Sequence, residues 1–218
     1  MKPEEALVSA GTKQLDLSKN PTQKEFFIDT HKFQCYSGGF GSGKTLVMSR
    51  KGLALSQLIP NNFGAVMRET YPDLRDTTRK TFLSLVHPDE VRYWKESENA
   101  LTLKPSNSVI IFRYFENGIS KLGSDLGWFF VDQAEEAEEN IFKGLMGRLR
   151  RNVPVRYGML AMNPNGHGWQ YRTFVKDNKP TKGKPCACGR HNESDFSYFE
   201  SSSYDNQANL PESYIEDL

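Results

Sequence analysis

Apolar residues in this chain gather into short runs, and between several of those runs the spacing lengthens to the period of a helix. Lys32-Phe-Gln-Cys-Tyr-Ser37 is β-prone, and Lys44 to Leu55 carries Leu46, Val47, Arg50 and Leu53 at helical spacing. Upstream, Met1 to Asn20 is polar, an arm or a short helix. Asn20 to Ile28 reads as a capped helix start, with Pro21 at its first position and Phe26 and Phe27 on one side. Beyond a turn at Asn61–Gly64 comes a short strand, Ala65–Met67; Arg68 to Arg75 then leads into a helix through Leu85 that stops near His87-Pro88. Ala100–Leu103 and Ser108–Tyr114, joined by Lys104–Asn107, predict a hairpin. Trp128–Val131 is bulky and apolar throughout, as a strand buried on both faces is, and Tyr157–Met162 predicts another strand. Trp169, Tyr171 and Phe174 suggest a short helix on the core, Ser194 to Tyr204 alternates as a strand does, and Pro211 opens a helix. Strands alternating with helices predict a single α/β domain.

Between the first strand and its helix lies SGGFGSGKT, Ser37 to Thr45, which fits the phosphate-loop pattern GxxxxGK(S/T). The glycines 38, 39, 41 and 43, with Phe40 and Ser42 among them, let backbone N–H groups turn toward an anion. Lys44 reaches β- and γ-phosphates, the Thr45 hydroxyl can ligate Mg²⁺, and the helix that begins here points its positive end at the same anion. A Gly-rich turn that binds nothing is the competing reading.

Asp132 emerges at the C-terminal end of Trp128–Val131. A carboxylate there holds Mg²⁺, mostly through water, or simply caps the next helix. Hydrolysis further needs a group that orients water and an arginine facing charge on the γ-phosphate. The segment Glu135 to Arg151 opens with Glu135 and Glu136 and closes with Arg148, Arg150 and Arg151, an order that also suits a helix dipole with no function. Asn163, after the Tyr157–Met162 strand, is placed to sense the γ-phosphate or its water, or is a turn residue. Gln23 looks like the adenine-reading glutamine of helicase-like ATPases, since an amide donates and accepts at once; otherwise it is a solvated helix residue. Arg68 and Arg75 contact DNA phosphate or face water. Cys186, Cys188 and His191 invite zinc, but a structural site wants a further ligand and neither spacing is usual, so a hairpin tip competes.

Charge changes this picture little. Twenty-eight basic against 27 acidic residues leave a net charge of +1, so a polyanionic or membrane partner must be met by a local patch. Three cysteines suit a reducing cytosol rather than a disulfide framework. The absence of a membrane-length apolar run and of a signal-like N-terminus predicts a soluble intracellular protein.

Taken together, NPTQ, GGFGSGKT, WFFVDQAEE with the following GRLRR, AMNPNGHGW and SSSYDNQANLPESYIEDL resemble the large terminase subunit of tailed bacteriophages, from about Asn20 to the end. The resemblance implies a RecA-like P-loop NTPase fold, a mainly parallel central sheet flanked by helices with a β-hairpin insertion, in which a sensor strand lies between the phosphate-loop and Asp132 strands. It divides the chain into an N-terminal arm and adenine-side helix (1–30), a nucleotide-binding core (31–175) and a hairpin insertion leading toward a C-terminal nuclease domain (176–218). It implies Mg-dependent ATP hydrolysis that pumps double-stranded DNA into a procapsid, in a homo-oligomeric ring with portal protein and small terminase subunit. The place is the host cytoplasm at the portal vertex, and the isolated domain is a monomer.

Carried over, the resemblance makes Gln23 an adenine contact, Gly38 to Thr45 the phosphate cradle, Thr45 and Asp132 the Mg²⁺ ligands and Asn163 the coupling position. Three departures stand out. Many relatives place Glu after the aspartate, whereas Gln133 stands here; an amide positions water but is a poor base, which shifts that role to Glu135 or Glu136. Many carry an arginine in the phosphate loop, where this chain has Phe40, and another in the approach that reads Lys121-Leu-Gly123 here. Arg148 or Arg150, reaching into a neighbouring subunit, is the remaining arginine-finger candidate. A helicase-like DNA translocase and a nucleotide-binding scaffold that no longer hydrolyses are the alternatives.

Overall fold

A computed structural model describes residues 17–116, 118, 123–164, 166–176, 195–211 and 213. The expected hairpin tip, the Cys186, Cys188 and His191 cluster and the N-terminal arm before Leu17 lie outside them. Eight strands form one sheet: β1 (Phe33–Gly38), β2 (Phe63–Arg68), β3 (Val91–Lys95), β4 (Ala100–Leu103), β5 (Val109–Tyr114), β6 (Trp128–Val131), β7 (Tyr157–Met162) and β8 (Phe196–Ser201). Their order is β3-β4-β5-β2-β6-β7-β1-β8. From β5 to β8 all neighbours run parallel, whereas β3–β4 and β4–β5 are antiparallel, so the expected β4–β5 hairpin is present. The strand after which Asn163 stands, β7, lies between β6 and β1.

A parallel sheet is covered on both faces, which is why its central strands are largely apolar. On β6, Trp128 and Phe130 enter one core cluster while Phe129 and Val131 enter the other; on β1, Tyr36 faces the first cluster and Phe33 and Cys35 the second. The first cluster is covered by α1 (Pro21–Ile28), α2 (Lys44–Leu58) and the helical stretch after β2; the second by α5 (Glu139–Met146) and α6 (Trp169–Tyr171). That stretch consists of α3 (Tyr71–Asp73), a π turn (Leu74–Thr78) and α4 (Arg79–Ser84).

Two packing details fix the site's scaffold. The Trp128 indole lies in a slot kept open by Gly64 and Gly52, and its Nε1 donates to Ser56 Oγ at 3.0 Å. A Cβ on Gly64 would stand 2.0 Å from Trp128 Cε2. Lys51 on α2 is fully buried and donates to the carbonyls of Phe26 (2.8 Å) and Asp29 (2.6 Å) and to Gln34 Oε1 (2.7 Å), tying the end of α1 to α2 and β1. The α1 start is set by Asn20, whose side chain accepts from Gln23 N, followed by Pro21.

The structure refines several expectations. The segment expected to lead from Arg68 to Arg75 into a helix is already helical from Tyr71, capped by Thr70, while β2 runs on through Arg68, paired with β5. The segment from Glu135 to Arg151 is helical in earnest only over Glu139–Met146; the arginines lie beyond its end. Strand β3 was not predicted, since its residues Val91-Arg-Tyr-Trp-Lys95 are those of a half-solvated edge. The alternating run near the C-terminus is a strand as expected, β8, and it pairs parallel with β1.

Overpacking of a filled core costs about 1–3 kcal/mol, so Gly64→Ala is expected to lower the chemical-denaturation stability by that order and to shift Trp128 emission. Burial, opposed by Asp29, pulls Lys51 down from 10.5 to about 7. Between these values the unfolded chain binds a proton that the folded chain has released, so this group makes stability rise with pH above 7 and adds no slope below it. Denaturation midpoints measured on either side of pH 7 should show that rise, and Lys51→Met should remove it.

Candidate functional site

Because β1, β7, β6 and β2 are parallel, their C-terminal ends meet at one edge of the sheet, where clefts of this architecture form. The phosphate loop leaves β1, Asn163 follows β7, Asp132 follows β6 and Arg68 ends β2. They line a cleft of about 330 Å³ together with Phe40, Gly41, Gly43, Thr45, Leu46, Thr77, Thr81, Gln133 and Lys44.

In the loop, Gly41 and Gly43 have φ of 76° and 79°, which side chains other than glycine rarely adopt, and Gly43 leads straight into α2. Lys44 Nζ donates to the carbonyls of Gly38 (2.7 Å) and Gly39 (2.8 Å) and to Asn163 Oδ1 (3.0 Å). Burial draws the Lys44 ammonium below its ordinary range while Glu135 and then Asp132 support its charge. It is a cation short of solvent, well suited to exchange these acceptors for phosphate oxygens.

Asp132 is 4% exposed. Its carboxylate accepts from Thr45 Oγ1 at 3.0 and 3.2 Å and from Thr78 Oγ1 at 2.6 Å. A hydroxyl that donates to a carboxylate keeps its lone pairs, so Thr45 and Asp132 form a hard-oxygen pair beside Lys44 that fits Mg²⁺, with phosphate and water completing its shell. Thr78 was missed in the sequence. Together with Thr77 it reaches the sheet edge from the π turn, a distortion frequent at functional sites.

Gln133 takes φ 51° and a short 3₁₀ turn, Ala134–Glu136, follows. That turn sends Glu135 back to β7: its Oε1 accepts from Asn163 Nδ2 (2.6 Å) and its Oε2 from Asn163 N (3.1 Å). Lys44, Asn163 and Glu135 are thus one hydrogen-bonded series. Glu136 points outward and is exposed; partial burial and then the neighbouring carboxylates of Glu69, Glu135 and Asp73 raise its pKa against the pull of Arg68.

Arg68 is 9% exposed, with Nη1 donating to Thr77 Oγ1 (2.5 Å) and Nη2 to Gln133 Oε1. It occupies neither solvent nor an outer face, the surroundings expected of a DNA-phosphate contact. Its signal in the sequence was its place at the C-terminal end of a parallel strand. The structure does not bring Arg148 and Arg150 to this cleft. Leu126 N donates to Arg148 O, and Arg150 Nε bonds Asp125 Oδ1 at 2.6 Å, so both lie by the N-terminal end of β6, the opposite end from Asp132.

Gln23, 1% exposed, lies behind the loop and donates to Ser42 O (3.1 Å) and Asn206 Oδ1 (3.3 Å). Asn206, in the 3₁₀ turn Tyr204–Asn209, in turn donates to Gly41 O at 2.6 Å, and Ser203 Oγ donates to Phe40 O at 2.5 Å. Phe40 itself is 72% exposed at the lip of the cleft. Asn206 lies within the SSSYDNQANL stretch, but its role there had no local signal, because Gln23 and Gly41 lie more than a hundred and sixty positions away.

Among the described residues no group of His, Cys, Asp and Glu is arranged to hold a metal by itself, and no helix is long and apolar enough to cross a membrane.

A sequence profile of the phage terminase large subunit matches residues 30–218. Among solved structures, the large terminase of a thermophilic bacteriophage aligns at TM-score 0.69 and 16% identity, covering 99% of this chain and 48% of that one. The same protein in complex with ATP-γ-S aligns at TM-score 0.66 and 15% identity, covering 99% and 48%. This chain therefore spans about half the length of that relative. The ATPase domain of the Thermus phage P74-26 large terminase aligns at TM-score 0.63 and 18% identity, covering 94% and 92%. No curated protein matches. At these identities the structural likeness establishes the RecA-like fold.

Removing the Asn206 amide takes a bond from Gly41 O of the loop and another from Gln23 behind it, each worth about 1 kcal/mol. Asn206→Ala is accordingly expected to weaken binding of a fluorescent nucleotide by about 5- to 30-fold while the far-UV spectrum is unchanged.

Proposed function

The chain belongs to the phage terminase large-subunit family, and from that premise we propose that it is the ATPase motor domain of such a subunit, coupling ATP hydrolysis to translocation of double-stranded DNA into a procapsid. The observation that carries this reading is the series Lys44–Asn163–Glu135 beside the pair Thr45–Asp132. Loop N–H groups and Lys44 grip the β- and γ-phosphates, and the N-terminus of α2 adds its positive end. Mg²⁺ held at Thr45 and Asp132 supplies charge neutralisation on the phosphate oxygens.

Glu135 is the carboxylate that orients the attacking water and takes its proton, in place of the acid that relatives carry where Gln133 stands. Asn163 accepts from Lys44 and donates to Glu135 with a single side chain. A phosphate that draws Lys44 away therefore alters the Asn163 bond that restrains Glu135, which links occupancy of the cleft to readiness of the base. Gln23 sets the loop from behind through Ser42 O and Asn206. By the same reading the chain works as a ring at the portal vertex in the host cytoplasm, with portal protein and small terminase subunit as partners. It holds DNA through phosphates, as packaging of any sequence requires.

General-base assistance is worth about 10²–10⁴ in rate. Glu135→Gln should lower steady-state ATP hydrolysis by that factor while nucleotide affinity persists, with Lys44→Ala as the blank. A loss of that size in Glu136→Gln with Glu135→Gln near wild type would reassign the base. Binding without hydrolysis in the wild-type chain at every protein concentration would favour a scaffold.

A further inference from the structure

Arg68 is a permanently charged group kept nine-tenths buried at the edge where the phosphates are to be gripped. Register puts it there: Met67 pairs with Val131, Asp132 N donates to Met67 O at 2.9 Å, and the next residue of β2 is Arg68, beside Asp132 and Gln133. Its guanidinium is only partly used. Nη1 donates to Thr77 and Nη2 to Gln133, while the buried Nε has no partner.

The identity of those partners matters. Thr77 is a hydroxyl and Gln133 a neutral amide, so both orient the fork without cancelling its charge. Among the nearby carboxylates, Glu136 feels the pull of Arg68 and has Glu69, Glu135 and Asp73 around it, and none of these is in a direct ion pair with Arg68. Across the edge the order of groups is Lys44 from β1, Asn163 from β7, Asp132 from β6 and Arg68 from β2. Lys44 and the Thr45–Asp132 pair take the β- and γ-oxygens, so the group beyond them faces the terminal phosphate.

We propose that Arg68 contacts the γ-phosphate from within the same chain, and that Gln133 positions it there without forming an ion pair with it. The inference rests on reading the cleft as a nucleoside triphosphate site, and it gives the amide at position 133 a purpose. A glutamate at that position would bond the same fork and neutralise it, so the base has moved to Glu135 and the arginine duty to β2.

The test is calorimetric titration of the 218-residue chain with ADP and with ATP-γ-S in the presence of Mg²⁺. Arg68→Ala should leave ADP affinity essentially unchanged and weaken ATP-γ-S by about 10- to 100-fold, the value of charge-assisted hydrogen bonds. Gln133→Glu, a change at a half-exposed position, should weaken ATP-γ-S in the same direction with ADP unchanged, and it decides alone if Arg68→Ala does not fold. Equal affinities for wild type and variants, or parallel losses for both nucleotides, would overturn the role of Arg68. A wild-type chain that binds neither nucleotide would instead refute the triphosphate reading on which it rests.

Discussion

Parallel pairing of β1, β7, β6 and β2 is the constraint from which the rest of this structure follows. Parallel strands need crossover helices, those helices cover both faces, and a strand covered on both faces takes a polar side chain along its length only with a buried partner, as Gln34 has in Lys51. Chemistry is thereby driven to the strand ends. Since parallel strands all end on the same side, Lys44, Asn163, Asp132 and Arg68 arrive together although they are scattered over more than half the chain. Gly64 and Gly52 serve the same constraint from within, since the Trp128 slot sets how closely α2 lies on the sheet.

What could be read in advance divides along the range of the interactions. The phosphate loop, Asp132 and Asn163 each sit immediately after a recognisable strand, so local pattern sufficed to locate them, and the strand alternation sufficed for the fold class. Glu135 was legible as one of two acids, but only the turn begun by Gln133 distinguishes inward Glu135 from outward Glu136. That Arg148 and Arg150 lie at the far end of β6 from Asp132 was not readable, because a charge order that fits a helix end carries no information about which end of the sheet that helix returns to. Thr78, Asn206 and the parallel placement of β8 depend on register and on partners far along the chain, and no short window holds either.

The loop is braced on its outer side by amides rather than by charges. Gln23, Asn206, Asn20 and Asn209 form a connected set behind Gly41–Gly43, each donating or accepting within it. Neutral groups suit this place, because a charge behind the loop would bias the field in front of it, where Lys44 and the helix end are to meet an anion. The same economy appears at Gln133. At this edge, orientation of the loop and of Arg68 is left to neutral dipoles.

The π turn between α3 and α4 can also be weighed in chain length. A residue on an α-helix is rotated by about 100° from its neighbour, so consecutive threonines would normally diverge; the wider turn lets Thr77 serve Arg68 while Thr78 serves Asp132. The turn amounts to one residue more than a regular helix would use to cover the same rise. A single-residue deletion there would leave the helix sound and the core filled, yet bring only one of the two hydroxyls to the sheet edge. The reading frame of this helix, rather than its composition, is what heredity must preserve.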